Sequence, residues 1–197
     1  MALSSNQRNT TVFLAAGAFI GVASALYLSA VGISDDSLGA LLRASARAAL
    51  VVLLAVFIAR PLRQLVATPA TTKLLQNRRL LGIAFAGIHT AHLGLLIFKA
   101  SQIPDFSLDP AANYLGVATY IVILALLITS YDGPTRALGT KRWKVLHKTG
   151  LYYLFISFAQ TQLPESIDKL EGTNWWLIAL IAIALVIRLT AFFAKRK

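Results

Sequence analysis

Six apolar stretches divide this chain almost end to end, at residues 10–32, 38–58, 80–100, 111–130, 145–163 and 174–193. Each is at or near the roughly 20 helical residues needed to cross a hydrocarbon core. A soluble domain has nowhere to hide so much apolar chain: 57% of residues are hydrophobic and 14% charged, the balance of an integral membrane protein. Backbone polar groups must be satisfied within lipid, so the stretches are expected to be helices. The predicted fold is all-α, a six-helix membrane bundle forming a single transmembrane domain over residues 1–197. The first stretch follows Arg8 but is far longer than the roughly 7–15-residue apolar region of a secretory signal, so it reads as a retained helix. Pro61, Pro104, Pro110, Pro134 and Pro164 fall in or beside the intervening loops, where helices are expected to end.

Charge orients the bundle, because cytoplasmic loops carry an excess of Lys and Arg. One orientation places Arg8, Arg60, Arg63, Lys73, Arg78, Arg79, Arg136, Lys141, Arg142, Lys144, Lys148 and the tail Lys195, Arg196 and Lys197 inside. The same orientation puts Asp35, Asp36, Asp105, Asp109, Glu165, Asp168 and Glu171 outside, leaving Asp132 as the inner acid. Both termini are then cytoplasmic. The net charge of +11 reads as topology and contact with anionic headgroups of the bilayer. Nucleic acid is excluded as a partner, because the short loops cannot build a folded basic surface. No repeat or low-complexity tract breaks the chain. The longest loops, about 60–79 and 131–144, are too short for a flavin or nicotinamide domain and hold no glycine-rich phosphate motif. Electrons passing through the chain must come from another protein or from a quinol.

The chain has no cysteine, and its single methionine is Met1. Disulfides, iron–sulfur clusters and thiolate- or methionine-ligated haem are thereby excluded. Histidine remains, and there are three: His89 and His92 within the third stretch and His147 at the start of the fifth. An ionisable side chain at membrane depth marks a functional site by default. Neutral imidazole ligates haem iron well, and a second imidazole on the opposite face gives a six-coordinate electron carrier. His89 and His92 share one helix face with a rise of about 4.5 Å between them, so they cannot hold one iron from opposite sides. The alternative is that these histidines hydrogen-bond across the bundle, as polar residues in membrane helices do.

Three segments resemble the ferric-reductase-like transmembrane family. ARAALVVLLAVFIARPLRQL at 46–65 is similar to the family's second-helix exit with its Pro-Leu-Arg. RRLLGIAFAGIHTAHL at 78–93 resembles the Arg-Arg-x-Leu-Gly entry to a histidine-bearing helix, and TSYDGPTRALGTKRWKVLH at 129–147 resembles the approach to the fifth helix. The resemblance spans about the middle two thirds of the chain. It implies a six-helix bundle in the bacterial inner membrane whose third and fifth helices hold haem b. Electrons would run from a cytoplasmic donor or quinol, with quinone or flavin as further cofactors, to a periplasmic redox enzyme. Residue by residue, His92 matches the third-helix ligand and His147 the inner fifth-helix histidine, with His89 an additional candidate. The family's second fifth-helix histidine, thirteen residues on, is Gln160 here.

Thirteen helical residues rise about 20 Å, so positions 147 and 160 lie in opposite leaflets and do not replace one another. His92 is left with a five-coordinate haem, an unusual ligand such as Gln160 or a tyrosine, a site shifted to His89, or no haem. Gln160, beside Thr161 and Gln162, can equally hydrogen-bond to its neighbours. Arg43 and Arg47, four residues apart, could clamp haem propionates, or reach outer headgroups and pair with Asp35 and Asp36. Lys99 and Arg188 are expected simply to snorkel from helix ends. Trp143, Trp175, Trp176, Tyr114 and Tyr131 are expected in the interfacial belts, while Phe85, Tyr152, Tyr153 and Phe155 either line a macrocycle or fill the core. The expected function is an electron-transferring haem subunit, not a complete enzyme. The alternative is a haem-free structural subunit of a larger membrane complex that kept the fold.

Overall fold

The structure, a computed structural model, describes residues 3–104, 106–107, 110–168 and 175–194. Asp105, Asp109, Glu171 and the basic tail at 195–197, used above for orientation, lie outside the described residues. Among the described residues eight helices follow one another: α1 (Ser5–Val31), α2 (Asp35–Leu65), α3 (Pro69–Gln76), α4 (Arg78–Gln102), α5 (Pro110–Ile128), α6 (Asp132–Leu138), α7 (Thr140–Asp168) and α8 (Trp175–Ala194). Among the described residues α1, α2, α4 and α8 are long and apolar enough to cross a membrane. A fifth crossing is reached only if α5 is counted together with α6, which leaves its axis at 98°. The outward faces carry large apolar side chains, with Leu14 60% and Phe19 72% exposed. In water such faces would be a liability, whereas in a bilayer they are the solvated surface.

Local chemistry explains the helix starts. Ser34 accepts from the Ser37 backbone while the Ser37 hydroxyl accepts from Ser34 N–H, and Asp35 and Asp36 complement the positive helix end. Thr68 and Thr71 form the same reciprocal pair ahead of α3, with Pro69 in the first turn. Gly139 closes α6 at φ 76°, a left-handed conformation that glycine adopts without a Cβ clash.

Three sequence expectations are corrected. First, α2 does not stop before Pro61 but runs through it to Leu65, and Pro134 and Pro164 likewise fall within helix ranges. A proline inside a helix leaves the carbonyl four residues back without its donor. Here that carbonyl belongs to Phe57, and Arg188 Nη1 of α8 donates to it at 2.6 Å. Second, Arg188 therefore does not snorkel: its guanidinium also donates to the Tyr152 hydroxyl at 2.9 Å and lies over the Phe57 and Tyr152 rings at 4.1 and 4.4 Å. Lys99 does not snorkel either. It is 8% exposed and its Nζ pairs with Asp35 at 2.8 Å. Third, the two loops expected at 60–79 and 131–144 contain the short helices α3 and α6.

Helix α4 sits at the centre, packed along both α1 and α2, while α2 also packs on α8 and α5 on α7. The α1–α4 contact is very close. A Cβ at Gly87 would strike the Phe13 carbonyl oxygen, and one at Gly17 would lie 3.2 Å from the Gly87 carbonyl. Small residues allow such an approach, which in lipid rests on van der Waals packing rather than on a hydrophobic drive. The core behind it is aromatic and aliphatic, with Phe57 stacked on Phe155 at 4.2 Å among Leu50, Leu53, Leu54, Leu177 and Ile181.

Candidate functional site

The three histidines fall in two places. On α4, His89 and His92 lie with rings stacked at 5.1 Å and 11°, and the Phe85 ring stacks on His89 at 5.7 Å and 10°. Residues 85, 89 and 92 follow the i, i+4, i+7 stripe of one helix face, so the three rings form a column along α4. Tyr120 of α5 closes on His89 at 4.8 Å and donates its hydroxyl to the His89 carbonyl at 3.0 Å. Phe158 of α7 closes on it at 5.3 Å. His89 is 7% exposed, and its Nδ1 is buried without a hydrogen-bond partner. His92 is partly exposed, and its Nδ1 meets Ser45 Oγ of α2 at 2.9 Å.

His147 does not join them, and among the described residues no three metal-ligating side chains cluster. It lines a cavity of about 530 Å³ at the end of the bundle that carries Arg60, Arg78 and Arg79. Its Nε2 meets Thr129 Oγ1 at 3.0 Å and its ring stacks on Trp143 at 4.2 Å. Trp143 is thus no simple belt residue. Its indole donates to the Thr129 carbonyl at 2.8 Å, fixing the start of α7 against the end of α5. Tyr131 also has a partner within the bundle, Thr10 of α1 at 3.3 Å.

The cavity has apolar walls from Leu53, Phe57, Phe85, Ile123 and Leu154, and a rim of cations: Arg60, Arg78, Arg79, Lys144, Lys148 and Arg188. Carboxylates are absent from its lining, and Arg60 and Arg188 bear electrostatically on Arg78. Among the described residues Arg79 is the one of these paired with an acid, bonding Asp132 at 2.8 Å and the Ser130 carbonyl. Its guanidinium beside Asp132 holds that half-exposed carboxyl below its ordinary value. Such a chamber is suited to a ligand with an apolar body and an anionic head, and its volume is that of an ordinary small-molecule site.

Arg43 and Arg47 sit two residues either side of Ser45, about 200° around α2 and so on the other side of the helix from the His92 contact. Arg43 is exposed, while Arg47 Nε is buried without a partner. The Gln160 side chain is exposed. Reading the sequence missed Arg188, Trp143, Tyr120 and Ser45. A lone arginine deep in the apolar run WWLIALIAIALVIRL was a visible signal for the first. The others declare themselves only through partners on distant helices.

The family model for the ferric reductase like transmembrane component matches residues 44–159, which include Ser45, all three histidines and Trp143. The protein-methionine-sulfoxide reductase heme-binding subunit MsrQ of Cronobacter sakazakii is 32% identical over 146 residues, covering 71% of this chain and 70% of that protein. The subunits of the same name from Salmonella arizonae and Salmonella newport are 29% and 30% identical, over 84% and 79% of this chain and 83% and 77% of theirs. No solved structure matches. The chain is a multi-pass membrane protein and belongs to the ferric-reductase-like transmembrane component family.

Proposed function

We propose that this chain is the haem-carrying, electron-transferring membrane subunit of a methionine sulfoxide reductase system. The similarity to proteins named as heme-binding subunits of that reductase supports the class. In this reading α1, α2, α4, α5, α7 and α8 are six crossings, with both termini and the cationic cavity on the cytoplasmic side. Electrons enter at the cavity from a quinol or a flavin and leave on the opposite face to a periplasmic redox enzyme. The haem is taken as b-type; a chain without cysteine cannot attach it through thioethers, which excludes the c-type.

One observation carries the reading: the rings of Phe85, His89 and His92 run in contact from the wall of the cavity to a histidine anchored by a serine. The residues fit a haem at the far end of that column. His92 has one ring nitrogen held and the other left for iron, which is the arrangement of a ligating imidazole. His89, packed between Phe85 and Tyr120, fills the space behind it. Bound haem supplies the one-electron couple. The chain positions it, keeps water from it with the Phe85, Tyr120 and Phe158 rings, and tunes it through ligation and burial. Arg43 and Arg47 stand on the side of α2 away from the His92 contact, so neither is given a haem carboxylate in this reading, although Arg47 Nε is buried without a partner. Gln160 is left out of the ligand set, because its side chain is exposed. The cavity cations would seat the anionic part of the donor.

An oxidised and dithionite-reduced absorption spectrum of the purified chain, with haem quantified as pyridine haemochrome, tests the proposal. Stoichiometric haem with a reducible b-type α band is expected. A folded, colourless protein would replace the reading with that of a haem-free scaffold.

A further inference from the structure

One arginine of the chamber is held in place by three other helical segments. Pro61 lies inside α2 and has no N–H, so the Phe57 carbonyl four residues back lacks its helical donor. Arg188 Nη1 of α8 donates to that carbonyl at 2.6 Å, and Arg188 Nε donates to the Tyr152 hydroxyl of α7 at 2.9 Å. The Phe57 and Tyr152 rings meet edge to face at 85°, and the guanidinium carbon lies 4.1 and 4.4 Å from their centres. About one turn further along α8, the Ala191 carbonyl accepts from Gln64 Nε2 at 3.0 Å, so α8 is tied to α2 on both sides of the proline. A guanidinium carries five N–H bonds. Two are committed to this mount, and three are left on a side chain that borders the chamber.

Capping a carbonyl asks for one N–H and not for a charge. The charge is costly where it stands: Arg188 is half-buried, no carboxylate lines the chamber, and Arg60 and Arg188 act on Arg78 as like charges. Arg60, Lys144 and Lys148 are exposed, so water and salt screen them. Arg188 stands against an apolar wall with its guanidinium already oriented, so an anion there gains a charge-assisted bond and the receptor loses little freedom. We propose that Pro61 and Tyr152 mount Arg188 as a fixed oxyanion receptor, so that Arg188, and not the rim cations, selects a chamber ligand bearing a phosphate or carboxylate. Such a group comes either from a phospholipid of the bilayer or from a soluble anion. The mount rests on geometry alone, whereas identifying its ligand with the electron donor rests on the haem-carrier reading above.

Thermal unfolding of the full chain reads the ligand, because an anion that binds only the folded state raises the midpoint with its concentration. Two arms separate the sources: inorganic phosphate against chloride at equal ionic strength in neutral detergent, and nanodiscs of phosphatidylcholine with and without phosphatidylglycerol. The wild-type midpoint should rise in at least one arm, and the arm that responds names the source. Arg188→Gln keeps an N–H for the Phe57 carbonyl but loses the charge. The anion concentration giving the same rise should then increase about 10-fold or more, the loss of a charged hydrogen bond. Pro61→Ala supplies a competing N–H and Tyr152→Phe removes the hydroxyl; both keep every charge, and both should weaken the response. Lys148→Gln, on the rim, should weaken it far less than Arg188→Gln. Arg136→Gln removes a cation that does not line the chamber and should respond as wild type does. A wild-type midpoint indifferent to both anions would overturn the proposal, as would an Arg188→Gln response equal to that of wild type. Full responses in both Pro61→Ala and Tyr152→Phe would overturn the mount. Haem content of the same preparations tests the carrier reading separately. Haem without an anion response contradicts the receptor alone, and an anion response without haem removes only its link to an electron donor.

Discussion

Two neighbouring stretches of helix α4 are built on opposite terms. Around Gly87, His89 and His92 the helix is enclosed: α1 approaches so closely that Gly87 has no room for a methyl group, and rings from α5 and α7 press on His89. Five residues earlier Gly82 borders the cavity with nothing within 4 Å of where its Cβ would stand, and cations from α2, α4, α7 and α8 face the space. The enclosed stretch ties His92 to Ser45 and the His89 carbonyl to Tyr120, and leaves His89 Nδ1 buried without a partner among packed rings, the rigid setting of a preset site. The open stretch holds unbalanced positive charge in an apolar chamber, an arrangement suited to a ligand that comes and goes with its own negative charge. A single helix thus joins a preset centre to an exchangeable one.

If that contrast is right, the two glycines respond oppositely to the same methyl group. Gly87→Ala is expected to cost about 3 kcal/mol, the upper end of overpacking penalties, because the obstacle is the Phe13 backbone and not a side chain that can rotate. Gly82→Ala should cost nothing and gain up to about 1 kcal/mol from helix propensity. Thermal melts of the two variants in the same detergent check the pair, and equal melting temperatures would erase the distinction between the stretches.

The cavity wall is sharpened by Arg188. Arg188→Ala should cost about 2 kcal/mol, the loss of a charged hydrogen bond and a cation–π contact, and should weaken binding of an anionic donor. In a Pro61→Ala background the same change should cost less, because the new N–H can reach the Phe57 carbonyl that Arg188 now serves. A double-mutant cycle on thermal stability reads this coupling, and strictly additive effects would separate Arg188 from the proline.

The smallest effect belongs to the rim. Asp132 is half-exposed, and its bond with Arg79 holds its carboxyl below the ordinary 3.8. A depressed carboxylate stabilises the fold above its unfolded value and loses that contribution as pH falls through the folded one. Asp132→Asn should therefore melt slightly below wild type at pH 7. The gap should close as pH falls below 3.8, and melts over that range would check it.

Much of this was legible in sequence because membrane helices declare themselves by length and apolarity. The six predicted stretches fall on α1, α2, α4, α5, α7 and α8, but α2 runs to Leu65, past Pro61, and α7 spans Thr140–Asp168, longer at both ends than the predicted 145–163; among the described residues α1, α2, α4 and α8 are themselves long and apolar enough to cross. What escaped depends on contacts across the bundle. Pro61 reads as a terminator because its remedy, Arg188, lies 127 residues away. Lys99 reads as a snorkelling end until Asp35 of another helix is placed beside it. The short helix α3 had left a signal in Thr68-Pro69-Ala70-Thr71, a capping pair around a first-turn proline, but the loop's polarity masked it. For the site, the spacing of His89 and His92 gave their shared face correctly. The separate setting of His147 required knowing that Thr129 and Trp143 meet it.

The proposed function stands on His92, in the enclosed stretch and anchored by Ser45, as a haem ligand. Haem content and the reduced α band of the wild-type chain, His92→Ala and His147→Ala, purified side by side, test this most directly. Near-complete loss of haem in His92→Ala is the predicted result. Equal haem in wild type and His92→Ala, or its loss only in His147→Ala, would contradict it.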